Sequence, residues 1–281
     1  MRLVSFDTPT GPLAALLREG RIYDIWGEAF AGTPHEERTV LALLQGGLLA
    51  EVGAVEDDGV PVEGVDLLPP IERPGKIVCI GLNYREHAEE AGLEAPETPT
   101  FFAKFANSLV RPGGTAKLPD WSAKVDYEAE VAFVIGDRAK DVPEESAMEH
   151  VAGYTLLNDL SARDYQFKTP QWMPGKVFDG AAPCGPALVT PDEAGPHDAI
   201  EIELTLNGER MQKSSTADLI HSVPALVAYL SQLMTLEPGD LISTGTPAGV
   251  GSGREPKVWL KPGDEVVISS PQLGVLETRL E

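Results

Sequence analysis

From Lys76 onward the chain is a succession of short strand-like runs, KIVCIG, VDYEAEVAFVIG, AGYTLLNDL, AIEIELTLNGE, DLISTGT and DEVVIS, set off by Gly, Pro, Asn or Asp. Helical patterning is confined to segments around REHAEEAG, PEESAMEHV and TADLIHSVPALVAYLSQLM. No other feature restricts the fold as much. It predicts a mainly β domain with peripheral helices, in the α+β class, because each short strand must bury a face against another layer. The strands are too unevenly interleaved for a regular βαβ barrel. Residues 1–71 read as a small separate domain: strand patterns near Arg2–Phe6 and Leu13–Leu17 precede a helix through EERTVLALLQGG that ends at Gly46 and Gly47. In LLPPIERPGK, Pro69, Pro70 and Pro74 stiffen a linker and disfavour helix. The boundary is therefore set between 71 and 72, with 72–281 as the second domain.

Within VDYEAEVAF, residues Val125, Tyr127, Ala129, Val131 and Phe133 alternate with the period expected of a half-buried strand, so Glu128 and Glu130 share the opposite face. Two like charges side by side need either water or a cation. A solvated strand face often carries glutamates, and the pair alone does not decide between these readings. Asp159, at the polar end of AGYTLLNDL, adds a third carboxylate where a side chain emerges at the mouth of a sheet. Three carboxylates with no His or Cys beside them in sequence suit a hard cation, Mg2+ or alternatively Mn2+ or Ca2+.

His87 and Glu90 are three residues apart in GLNYREHAEEAG, on one face of a helix, as a water-activating dyad requires; an exposed turn with an incidental His is the alternative. The other histidines, His35, His150, His197 and His221, lack a comparable partner set. Lys176 lies between a Pro-Gly turn and small residues that permit close approach of a ligand, yet an ordinary surface lysine fits the same pattern. Arg163 could clamp a substrate carboxylate or simply pair with Asp164. The glycine-rich ISTGTPAGVGSG lacks the Gly-Lys-Ser/Thr of a phosphate loop, so its expected use is to hold a carboxylate with backbone N–H groups and the Thr246 hydroxyl.

Lys and Arg number 22 against 44 Asp and Glu, a net charge of −22, which repels nucleic acid and anionic lipid and requires a locally positive site for any anionic substrate. Cys79 and Cys184 lie outside any C-x-x-C pattern and read as reduced thiols. MRLVSFDTPT has no apolar leader core, and no run is long enough to span a bilayer, so the expected location is the cytoplasm.

GLNYREHAEEAG, VDYEAEVAFVIG, AGYTLLNDLSARDYQ, GKVFDGAAPCGPALV, LNGERMQKSSTADLIHSV and LEPGDLISTGTPAGVG occur in the order and approximate spacing of the fumarylacetoacetate hydrolase family, which the chain resembles from Lys76 to Glu281. The resemblance implies a mixed β-sandwich-like roll with a small N-terminal domain, assembled as a homodimer. It implies a Mg2+ or Mn2+ held by Glu128, Glu130 and Asp159, and a water-activating dyad of His87 and Glu90. Lys176 matches the lysine that stabilises developing negative charge, and Arg163, Gln166 and Thr246 match substrate-contacting positions. Lys104, in FFAKFANSLVRPGG, is carried as a further substrate contact, although Phe105 and Ala106 replace the proline and serine common after that lysine. The implied substrate is a small anionic keto or enol acid of the acylpyruvate type, cleaved at a C–C bond by hydrolysis. Isomerisation of 2-hydroxymuconate-type diacids of aromatic catabolism, or decarboxylation of oxaloacetate, is the alternative at the same site. A non-catalytic binding protein on this fold is the reading from a different class.

Overall fold

The computed structural model describes residues 1–27, 30, 32–53 and 58–281. Most of the strand-like runs are strands, arranged in two main sheets. The larger passes, in spatial order, from Val60–Pro61 through Arg21–Tyr23, Leu13–Arg18, Arg2–Phe6, Ala182–Val189, Val151–Asn158, Ala129–Ile135, Leu241–Ser243 and Ile77–Gly81 to Thr100–Lys104. The smaller joins Glu209–Ser215, Glu201–Leu206, Glu265–Ser270, Gly274–Leu280 and Thr115–Ala116. Pairing is mixed: Leu241–Ser243 runs parallel to Ile77–Gly81 and antiparallel to Ala129–Ile135. This is the mainly β, α+β architecture expected.

The strand Ala129–Ile135 is buried along its whole length. Val131, Phe133 and Ile135 pack with Leu204, Val266 and Ile268 of the smaller sheet. On the other face Ala132 and Val134 belong to a core with Leu3, Val40 and Leu43 from the N-terminal region. The expected half-buried strand is thus covered on both sides, because residues 1–71 supply the second layer. Arg2–Phe6 also pairs with Ala182–Val189, so the large sheet runs on across position 71.

Of the helix expected through EERTVLALLQGG, only Val40–Gln45 is α-helical, with the Thr39 hydroxyl accepting from Ala42 N and Gly46 at the C-cap, while His35–Glu37 forms a separate 3-10 turn before it. Residues 143–151 contain a 3-10 helix, Glu144–His150, in which Ala147 is the one buried residue, too little apolar stripe to hold an α-helix. The long helical pattern from Thr216 divides into a 3-10 turn, Thr216–Asp218, and an α-helix, Val223–Leu233. Ser222 caps that helix by accepting from Ala225 N, and Pro224 suits its first turn, so the helix begins there.

Candidate active site

The strand expected through Val125–Phe133 is interrupted. Val125–Asp126 pairs with Ser161–Ala162, whereas Ala129–Ile135 pairs with Val151–Asn158 in a register that sets Ala129 opposite Asn158. In the gap, Glu128 N donates to Asn158 Oδ1 at 3.1 Å and Asp159 N donates to Glu128 O at 3.0 Å. Glu128, Glu130 and Asp159 therefore converge, each buried, with one oxygen from each within 4.8 Å of the others.

Three cations surround this triad. Lys176 Nζ lies 2.6 Å from Glu128 Oε2 and 2.7 Å from Asp159 Oδ2. Lys104 Nζ lies 2.6 Å from Asp159 Oδ1, and Arg163 Nη2 lies 2.6 Å from Glu128 Oε1. Burial raises the Glu128 carboxyl, but Arg163 and Lys176 outweigh it and bring it to about 2. Glu130 differs: among the described residues no cation pairs with it, and its Oε2 accepts from Ser243 Oγ and, at 3.2 Å, from Gly245 N. Burial first, then the charges of Asp159 and Glu128, push it well above the usual carboxylate range. An all-oxygen donor set that includes a buried carboxylate paired with no cation among the described residues fits a hard divalent cation.

Above the triad is a cavity of about 360 Å3, with Ile80, Phe102, Phe167, Trp172 and Val250 among its apolar lining. The helix Arg85–Glu90 brings His87 and Glu90 to its wall, with His87 Nδ1 3.2 Å from Glu90 Oε2. Gly249 N donates to Glu90 Oε1 at 3.0 Å. A Cβ at Gly253 would lie 2.5 Å from Glu90 Cδ, so glycine there leaves room for the carboxylate. Burial raises Glu90, but the His87 bond and the Gly249 N–H together hold it below its ordinary value.

Lys176, Arg163 and Gln166 line the cavity, and Gln166 Oε1 accepts from Arg163 Nη1 at 3.0 Å. Arg163 does not pair with Asp164; its Nε donates to Asp126 Oδ2 at 2.9 Å. Thr246 reaches the wall, but its hydroxyl donates to Ala129 O at 3.0 Å and accepts from Gln212 Nε2 at 2.9 Å, which leaves it no proton for a carboxylate. Lys104, expected to touch substrate, lies instead behind the triad, between Asp159 and the backbone carbonyl of Lys176. Its position follows from the strand Thr100–Lys104 forming the sheet edge next to Ile77–Gly81.

Asp126 is a site residue that the sequence reading passed over. It accepts from Gly251 N at 2.7 Å and Ser252 N at 3.0 Å while pairing with Arg163. The signal was present, since Asp126 continues the alternation of Glu128 and Glu130. Ser243 left no such signal, because a serine near a strand end is ordinary.

A family model described as fumarylacetoacetate (FAA) hydrolase C-terminal matches residues 76–281. The chain is 40% identical over 285 residues to "Oxaloacetate tautomerase fahd2, mitochondrial" of Xenopus laevis, an alignment covering 98% of this chain and 89% of that protein. Among solved structures it resembles the fumarylacetoacetate hydrolase of psychrophilic Exiguobacterium antarcticum, with TM-score 0.85 and 32% identity over 100% of this chain and 99% of that one. It also resembles 2-hydroxyhepta-2,4-diene-1,7-dioate isomerase from Mycobacterium marinum, with TM-score 0.79 and 33% identity over 100% and 98% of the two chains.

Proposed function

The chain belongs to the fumarylacetoacetate hydrolase family, and from that premise we propose that it is a divalent-metal enzyme catalysing proton transfer between the enol and keto forms of a small 2-oxo acid. The observation that carries this reading is the placement of the Glu128, Glu130 and Asp159 triad and the His87–Glu90 dyad on one cavity of about 360 Å3, near the lower end of small-molecule sites. The relative named an oxaloacetate tautomerase, aligned over nearly the whole chain, supports proton transfer as the reaction.

Mg2+ is the proposed ion, with Mn2+ or Ca2+ as substitutes; held by Glu128, Glu130 and Asp159, it would supply a Lewis acid to the substrate's carboxylate and 2-oxygen. Lys176 and Arg163 keep Glu128 ionised and offset the carboxylate charge at the inner end of the cavity, within a chain of net charge −22. With Nδ1 donating to Glu90, His87 presents Nε2 as a base. It takes the proton from the enol oxygen, and the carbon next to the 2-oxo group gains one, so the atoms balance without water.

Hydrolysis is the second reading, favoured by the partly exposed dyad, to which water has access. There His87 takes a proton from water, the water oxygen bonds to the distal carbonyl carbon, and the C–C bond breaks. The electron pair and a proton end on the 2-oxo acid, giving a carboxylic acid and, from an acylpyruvate, pyruvate.

The test follows ketonisation of enol-oxaloacetate and, separately, pyruvate release from acetylpyruvate. Faster ketonisation that EDTA abolishes and Mg2+ restores is expected, with no pyruvate above the blank. Metal-dependent pyruvate release would transfer the assignment to hydrolysis; activity on neither, with metal bound, would overturn the proposal. A 2-hydroxymuconate-type diacid is the next probe.

A homodimer is the proposed assembly, checked by sedimentation. Among the described residues no helix is long and apolar enough to cross a membrane. The proposed location is a reducing compartment, the cytoplasm or the mitochondrion printed in the relative's name. The free, buried Cys79 and Cys184 support it.

A further inference from the structure

The basic side chains on the cavity wall divide into two kinds. Arg163 is taken up by Asp126 and Glu128, Lys176 by Glu128 and Asp159, and His87 by Glu90. Lys257 also lines the cavity, is exposed, and makes no ion pair or hydrogen bond with any described residue. Its backbone is nevertheless held: Val258 N donates to Gly251 O at 3.0 Å, and Leu260 N donates to Val125 O at 2.9 Å. The half-exposed to exposed Leu93 and Phe167 share the wall with it and offer no charge.

We propose that Lys257 determines specificity by taking the second carboxylate of a dicarboxylic 2-oxo or enol acid. The inference rests on the 2-oxo acid reading above. A substrate seated by its carboxylate and 2-oxygen at the triad directs its far end away from the buried charges. Besides the His87–Glu90 dyad and Ser252, the wall there offers Leu93, Phe167 and one ammonium group, Lys257, that has no partner among the described residues. A methyl terminus would leave the ammonium as it is, in water. A carboxylate would gain a charge-assisted hydrogen bond, and in a chain of net charge −22 the same lysine offsets repulsion of a dianion at the entrance. Diacids are therefore preferred over acylpyruvates with alkyl tails.

Binding of unreactive probes to the Mg2+-loaded protein separates this from the reaction assigned. Calorimetry would compare 2-oxoglutarate with 2-oxopentanoate, and 2-oxoadipate with 2-oxohexanoate, pairs that differ only in the terminal group. In at least one pair the diacid should bind about tenfold more tightly, a preference that falls with added salt. Lys257→Ala should erase the preference and Lys257→Glu should reverse it, with diacid affinity falling by a much larger factor than monoacid affinity in both. In turnover the loss should appear in KM for diacids, with kcat retained. A diacid preference that survives Lys257→Ala overturns the assignment of Lys257. Monoacids bound as tightly as diacids by the wild type overturn the diacid specificity and leave the 2-oxo acid reading standing. Failure of any 2-oxo acid to bind the metal-loaded protein overturns both.

Discussion

Glu130 is the triad member to which the described residues bring no cation, and two measurable consequences follow from that imbalance. Glu130→Gln should lose metal retention, read by calorimetry, and reduce turnover by about 100-fold or more, since a neutral amide cannot balance a divalent cation. The second consequence concerns pH. The folded state raises the Glu130 carboxyl above its ordinary 4.5, so the stability contributed by its protonated form is present below 4.5 and is lost as pH rises through the raised folded value. Glutamine does not ionise. The Tm of Glu130→Gln should therefore exceed that of EDTA-treated wild type by a margin that widens as pH increases above 4.5; a constant margin would contradict the account. Gly253→Ala makes a separate test of the dyad. The added methyl would displace Glu90, so kcat should fall to about the level of Glu90→Ala. In a Glu90→Ala background the same change should do little, whereas a purely structural glycine would be equally harmful in both.

At the scale of elements, the segment Gly249–Gly253 connects the two halves of the site. Gly249 N holds Glu90 from the dyad side, while Gly251 N and Ser252 N bind the Asp126 carboxylate that also pairs with Arg163 beside Glu128. Asp126→Ala leaves a buried guanidinium with one fewer counter-charge and removes the acceptor of three N–H groups, those of Tyr127, Gly251 and Ser252. It should destabilise the protein by about 3 kcal/mol, measured by urea unfolding. Wild-type stability in that variant would show the segment to be held by other contacts. Much at this scale was legible locally. The helix at Arg85–Glu90 and the Thr39 cap are set by neighbours within four residues. The break after Asp126 was not legible, since it depends on which of two strands each half meets.

At the scale of the molecule, the N-terminal residues are structural to the large sheet, not appended to it. Arg2–Phe6 continues the sheet from Ala182–Val189, and Val40, Leu43 and Leu44 cover the face of Ala132 and Val134. Residues 72–281 expressed alone should aggregate, because an edge of paired strand and an apolar face would both be uncovered. A soluble, metal-binding fragment would refute this. The mainly β architecture and the shared faces of Glu128 with Glu130 and of His87 with Glu90 could be read from the sequence, because strand alternation, helix spacing and turn chemistry are properties of near neighbours; the family, and with it the triad and the dyad as functional sets, came from the resemblance of six motifs in order. The tertiary structure decided which charges meet: Lys104 behind Asp159, Thr246 committed to Ala129, Asp126 bonded to Gly251 N across 125 positions, and Lys257 alone on the cavity wall among the described residues. Those pairings are set by sheet register and by segments crossing far apart in the chain, quantities that local periodicity does not carry.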